Sequence, residues 1–123
     1  MAEKQKALVV DDTSFHSNFL SMFLRMKHYD VTVATDGVEG LAAAKKETFD
    51  LIFSDIEMPN MNGIELLRSL KRMPAYAATP VILISTLDDD AMKQKAASLG
   101  AFAYVVKPFN SEKMDAVFTK LKH

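Results

Sequence analysis

The chain has 123 residues, 49 % of them apolar and 25 % charged, with a net charge of −1. That composition suits a folded globular domain, argues against disorder or a fibrous class, and offers no basic footprint for nucleic acid. The longest apolar run, Ala101 to Val106, falls far short of the ~18 residues of a membrane span, no charged-then-apolar leader opens the chain, and it holds no cysteine; the expectation is one cytoplasmic domain over residues 1–123, with neither a membrane nor a nucleic-acid partner.

In chain order, short apolar or β-branched runs alternate with helix-length stretches. The runs are Ala7–Val10, Val31–Thr35, Leu51–Phe53, Val81–Ile84 and Ala103–Val106. Four are continuously apolar, as buried parallel strands read, and only Val31–Thr35 alternates, which suits an edge. The first helix, about Ser14–Lys27, follows Asp12, Thr13 and Ser14, which offer N-cap oxygens. The second (about Val38–Glu47) follows Asp36 and Gly37, and the third (about Ile64–Arg72) follows Asn62 and Gly63. The fourth, about Asp89–Leu99, begins among aspartates and stops at Gly100. In the fifth, about Ser111–Leu121, Met114, Val117, Phe118 and Leu121 form one apolar stripe. Five strands joined by helical crossovers predict an α/β fold, a five-stranded parallel sheet covered by helices on both faces.

In such a sheet the chemistry lies beyond the carboxyl ends of the strands. There the sequence places Asp11 and Asp12, Asp55, Ser85 and Lys107. Singly, Asp12 reads as a helix cap, Asp55 as a turn former, Ser85 as a strand end and Lys107 as a snorkelling cation. Together, three converging carboxylates repel one another unless a cation holds them, and a hard oxygen-seeking ion such as Mg²⁺ fits. No His or Cys near these carboxylates in sequence suggests zinc. An aspartate beside Mg²⁺ and a lysine is a nucleophile toward phosphorus. Phosphate-binding glycine motifs are absent, which argues against nucleotide binding.

With these elements in order, the chain resembles the CheY-like receiver domains of two-component response regulators. The resemblance rests on Val9-Val10-Asp11-Asp12, on Asp55 through Gly63 with its Met58-Pro59 pair, on Ser85, and on Lys107-Pro108-Phe109. It implies a doubly wound flavodoxin-like sheet of order 2-1-3-4-5 with five helices. It also implies that Asp55 is the phosphoacceptor and that Mg²⁺ is held by Asp12, Asp55 and the Glu57 backbone carbonyl, with Asp11 acting through water. Lys107 would pair with the phosphoryl group, before a cis peptide to Pro108, and Ser85 and Tyr104 would form a switch pair. Thr86 stands where the family usually has Ala or Gly, and Glu57 and Leu87 stand where the best-studied chemotaxis regulators carry Asn and Glu. These three are expected to tune access and dephosphorylation.

The implied function is a switch that is not itself an enzyme. A sensor histidine kinase donates phosphate to Asp55, and a monomer with no output domain then binds a protein target through the fourth helix, fifth strand and fifth helix. The target is a flagellar motor switch in a chemotaxis role, or a phosphotransfer protein in a phosphorelay. A third reading is a Mg²⁺-dependent phosphohydrolase, since Glu57 stands two residues after the nucleophile. In the first helix the apolar residues cover roughly 200° of the wheel; either the core takes them all, or Phe15, Met22 and Met26 stay exposed and dock a partner.

Overall fold

Alternation of apolar side chains along the strands determines how the sheet is covered. The computed structural model describes residues 4–121. Its strands are β1 (Gln5–Val10), β2 (Tyr29–Ala34), β3 (Leu51–Asp55), β4 (Val81–Ser85) and β5 (Ala103–Val106). All pair in parallel in the order β2-β1-β3-β4-β5. The helices are α1 (Ser14–Met26), α2 (Gly37–Lys46), α3 (Gly63–Lys71), α4 (Asp90–Ser98) and α5 (Ser111–Leu121), with a 3₁₀ turn over Pro74–Tyr76. Leu8, Val10, Ile52 and Leu83 point to one face, where Leu66, Leu67 and Leu70 of α3 meet them. Ala7, Val9, Phe53 and Ile82 point to the other, against Leu20 and Leu24 of α1 and Met114, Val117 and Phe118 of α5. Period-2 strands thus feed two cores, and burying a Leu or Phe in either is worth about 1.5–3 kcal/mol.

The expected doubly wound sheet is present, and the alternating second run is an edge strand. Two local expectations change. Thr13 is the N-cap of α1 but its side chain caps nothing; instead the Thr13 N–H donates to Asp11 Oδ1 at 2.8 Å, which leaves Asp12 free of a capping role. Asp55, expected at the end of the third strand, lies inside β3, which runs to Asp55 rather than stopping with the apolar run at Phe53.

Two glycines matter, one at each end of the sheet. A Cβ at Gly63 would collide with the Asp55 carbonyl, so only glycine lets α3 start against the end of β3. Gly100, at φ 102°, ends α4 in a conformation that costs other residues energy. At the start of α3 the Asn62 side chain accepts from Glu65 N–H while the Glu65 carboxylate accepts from Asn62 N–H, a reciprocal cap.

Candidate functional site

Sheet register decides which strand ends meet. Val10 pairs with Ser54, so Asp11, one residue past β1, comes level with Asp55 at the end of β3. Ser85 pairs with Val106, and the Lys107 N–H donates to the Ser85 carbonyl at 2.8 Å, which carries Lys107 to the same edge. The carboxylates of Asp11, Asp12 and Asp55 each offer an oxygen within 4.8 Å of the others. Lys107 Nζ stands 3.1 Å from Asp55 Oδ1, and the Lys107–Pro108 peptide is cis.

Asp55 is only 2 % exposed, Asp11 is equally buried, and Asp12 faces solvent. Burial, reinforced by the charge of Asp11, pushes the Asp55 carboxyl up to about 6, although Lys107 pulls it down. Asp11 is also raised, chiefly by burial, against the pull of the Thr13 N–H and Lys107. Lys107 attracts Asp55 by about 5 kcal/mol at an effective dielectric of about 20, before desolvation. The upward shift shows that one lysine does not balance burial and a second carboxylate. Apart from the close ion pair to Lys107, Asp55 Oδ1, like Asp11 Oδ2, is buried without a hydrogen-bond partner.

Buried oxygens left in this way, in a cluster of excess negative charge, fit a hard cation with oxygen ligands such as Mg²⁺. The side chains available to it are those of Asp11, Asp12 and Asp55.

One neighbour was not expected. His16, one helical turn into α1, brings Nδ1 to 3.6 Å from Asp11 Oδ2, and its ring packs against Phe109 at 5.5 Å between centroids. The expectation of no histidine near the carboxylates is therefore corrected. The signal was present as a helix starting directly after Asp11 and Asp12, whose first turn must lie over the strand end.

The remaining expected residues form a second group. Ser85 is fully buried, and its hydroxyl donates to Glu57 Oε2 at 2.6 Å while accepting from Leu87 N–H at 3.0 Å. Glu57 Oε1 accepts from Thr86 N–H at 3.0 Å and from the Thr86 hydroxyl at 3.2 Å. Thr86 thus bonds to Glu57, the residue expected beside it as a tuner. Tyr104 donates its hydroxyl to the Leu87 carbonyl at 2.8 Å and borders a groove of about 420 Å³ shared with Asp88, Lys93, Val106, Lys113 and Lys120. Glu57, Ser85, Leu87 and Tyr104 are therefore linked in one hydrogen-bonded series.

On α1, Phe15, Met22 and Met26 are 78 %, 66 % and 77 % exposed, whereas Leu20 and Leu24 are buried. Phe15 flanks a second groove, of about 330 Å³, with Phe19, Pro108 and Phe109. Among the described residues no helix is long and apolar enough to cross a membrane.

The sequence pattern of the response regulator receiver domain matches residues 7–119. A probable chemotaxis protein CheY of Rhizobium etli is 36 % identical over 127 aligned positions, covering 99 % of this chain and 98 % of that protein. The response regulator ArlR of Staphylococcus saprophyticus is also 36 % identical, over 89 % of this chain but only 48 % of its own length, so the chain spans about half of that relative. Among solved structures, the chemotaxis protein CheY4 of Vibrio cholerae superposes with a TM-score of 0.89 at 35 % identity, covering 96 % of this chain and 98 % of that one. CheY of Borrelia burgdorferi, solved in complex with CheX, BeF3 and Mg²⁺, gives 0.89 at 25 % identity, covering 97 % and 90 %.

Proposed function

The chain belongs to the response regulator receiver domain family, and from that premise we propose that it is a phosphorylation switch whose acceptor is Asp55. The observation that carries this reading is the buried Asp55 carboxylate, with Lys107 Nζ at 3.1 Å and the carboxylates of Asp11 and Asp12 beside it. A carboxyl raised to about 6 is ionised at neutral pH yet more basic than an ordinary aspartate, and both properties favour attack on phosphorus.

In the transfer, one Asp55 oxygen bonds to phosphorus as the bond from phosphorus to the imidazole nitrogen of a phosphorylated kinase breaks. The electron pair of that bond leaves with the imidazole, and an acyl phosphate remains on Asp55. Lys107 meets the charge spread over the phosphoryl oxygens, which is the protein's main contribution to this kind of reaction. Asp12, Asp55 and the Glu57 backbone carbonyl would hold Mg²⁺, with Asp11 acting through water, and the ion would supply further charge neutralisation. Ser85 has a hydroxyl to offer a phosphoryl oxygen once it leaves Glu57. Because Leu87 links Ser85 to Tyr104, that exchange reaches the groove on α4, β5 and α5, the surface offered to a protein target.

Likeness to chemotaxis proteins over nearly the whole of both chains supports a chemotaxis role for a monomeric, cytoplasmic switch acting between a sensor histidine kinase and a motor component. The phosphohydrolase reading would need Glu57 as its acid, and in this structure both Glu57 oxygens accept from Ser85 and Thr86. The experiment is labelling by a panel of phosphorylated histidine kinases and by acetyl phosphate. Acid-labile label that needs Mg²⁺ and disappears in Asp55→Asn is expected; full labelling of that variant, or of wild type in EDTA, overturns the reading. Rapid onward transfer to a histidine phosphotransfer protein would replace chemotaxis with a relay.

A further inference from the structure

An aspartyl phosphate needs hydrogen-bond donors for its peripheral oxygens, and the donors nearest the end of β4 are already taken. Ser85 has a single hydroxyl proton, and it goes to Glu57 Oε2 at 2.6 Å. The Thr86 N–H and hydroxyl both go to Glu57 Oε1. Glu57 therefore sits across the β4–α4 junction as an anion with three donors, in the way a phosphoryl group would use them. Its charge also contributes to raising the Asp55 carboxyl, so the two carboxylates feel each other.

We propose that the Glu57 side chain is an internal anion that latches the unphosphorylated state: it competes with the phosphoryl group on Asp55 for the Ser85 hydroxyl and Thr86 N–H, and must let go before Ser85 can turn. This rests on the reading of Asp55 as acceptor and adds to it a residue that decides how readily the switch closes. Hydrogen bonds to a charged group are among the stronger ones in proteins, each worth about tenfold or more in an equilibrium. The latch also holds the junction by which Leu87 reaches Tyr104, so release at Glu57 is felt at the groove.

The two residues flanking the latch do not perform the same task as Glu57. Lys107 is bound to Asp55 and not to Glu57, and Leu87 contributes only backbone groups to the series. Glu57 is thus a positioning residue acting through Ser85 and Thr86.

The test is binding of beryllofluoride, a phosphoryl mimic, to the full chain at saturating Mg²⁺, followed by calorimetry and by the backbone amide signals of Thr86 and Leu87. Glu57→Ala is expected to bind about tenfold more tightly than wild type. Glu57→Gln, which keeps an acceptor but loses the charge, should fall between and guards against a poorly folded Ala variant. Without the mimic, the Thr86 and Leu87 amide signals of Glu57→Ala should already lie toward their bound positions. In a Ser85→Ala background the gain from Glu57→Ala should shrink, because the contested hydroxyl is gone; removal of a merely repulsive charge would leave the gain whole. Wild-type affinity or weaker in both Glu57 variants, or a full gain in the Ser85→Ala background, overturns the latch while Asp55 remains the acceptor. Binding that survives Asp55→Asn overturns the acceptor and the latch together.

Discussion

The two ends of the sheet bury polar groups to a similar depth and treat them in opposite ways. At the amino end, the hydroxyl of the buried Tyr76 lies 2.8 Å from the carbonyls of both Ala44 and Glu47, and accepts from Phe49 N–H at 3.2 Å. Lys71 donates to the carbonyls of Tyr76 and Thr79, and Asp50 accepts from Lys6 N–H. At the carboxyl end Asp11 Oδ2, His16 Nδ1 and Asp55 Oδ1 have no hydrogen-bond partner. Three of the four unpartnered buried side-chain atoms among the described residues lie there, the fourth being Ser21 Oγ on α1. One end ties loops together with satisfied bonds; the other leaves buried oxygens unpaired. On the proposed function, stability is given up there for the sake of the acceptor site.

Removing the demand should therefore stabilise the fold. The Asp55 carboxyl is raised from its ordinary value near 3.8 to about 6, so the folded state holds this proton more tightly than the unfolded state does. Stability then falls as pH rises from about 4 to about 6 and stays low above that, a loss on the order of 2–3 kcal/mol. In EDTA, urea unfolding of Asp55→Asn should lose this leg and exceed wild type by that amount at neutral pH, and Mg²⁺ should restore much of it to wild type only. Superimposable pH profiles for the two proteins would erase the contrast between the ends.

At the amino end the opposite sign is expected. Tyr76→Phe leaves the buried Phe49 N–H and Ala44 carbonyl, and the part-buried Glu47 carbonyl, without their partner, at a cost of about 1–3 kcal/mol. The loss should be seen in urea, with beryllofluoride binding unchanged because the change lies at the far end of the sheet. A neutral Tyr76→Phe would mean that water replaces the hydroxyl and that this end is not tied as described.

The smallest effect sharpens the comparison at an exposed side chain beside the carboxyl end. Phe15 is 78 % exposed on α1, so Phe15→Ser should change stability by less than about 0.5 kcal/mol. If α1 docks a kinase, transfer from the cognate kinase should nevertheless fall several-fold. A drop of several degrees in melting temperature would return Phe15 to the core.

Much of this contrast was legible in the sequence, though unevenly. The strands announced themselves as apolar runs, and the residues just past them, Asp11, Asp55, Ser85 and Lys107, could be read as one edge because parallel strands bring their carboxyl ends together. Met22 and Met26 could be singled out on the wheel, but only packing decided that they face outward. His16 was missed although it stands only four residues after Asp12, within the first helical turn that lies over the strand end. Tyr76 lies in a short 3₁₀ turn with no periodicity, so nothing in the sequence marked its three bonding partners, which come from α2 and the residues after it. Glu57 was expected to tune the site, yet its hold on Ser85 and Thr86 depends on the β3–β4 pairing that sets Asp55 beside Ile84. Thr86 was expected to tune access to Asp55, and its hydroxyl contact to Glu57 could not be read from the sequence.

The central claim is that Asp55, and no other carboxylate of the cluster, takes the phosphoryl group. The chain should be phosphorylated with acetyl phosphate and Mg²⁺, reduced with borohydride, which converts an aspartyl phosphate to homoserine, and mapped by peptide mass spectrometry. Homoserine at position 55 alone is the predicted result. Homoserine at position 11 or 12, or none at all with phosphate retained on His16 or Ser85, would contradict it.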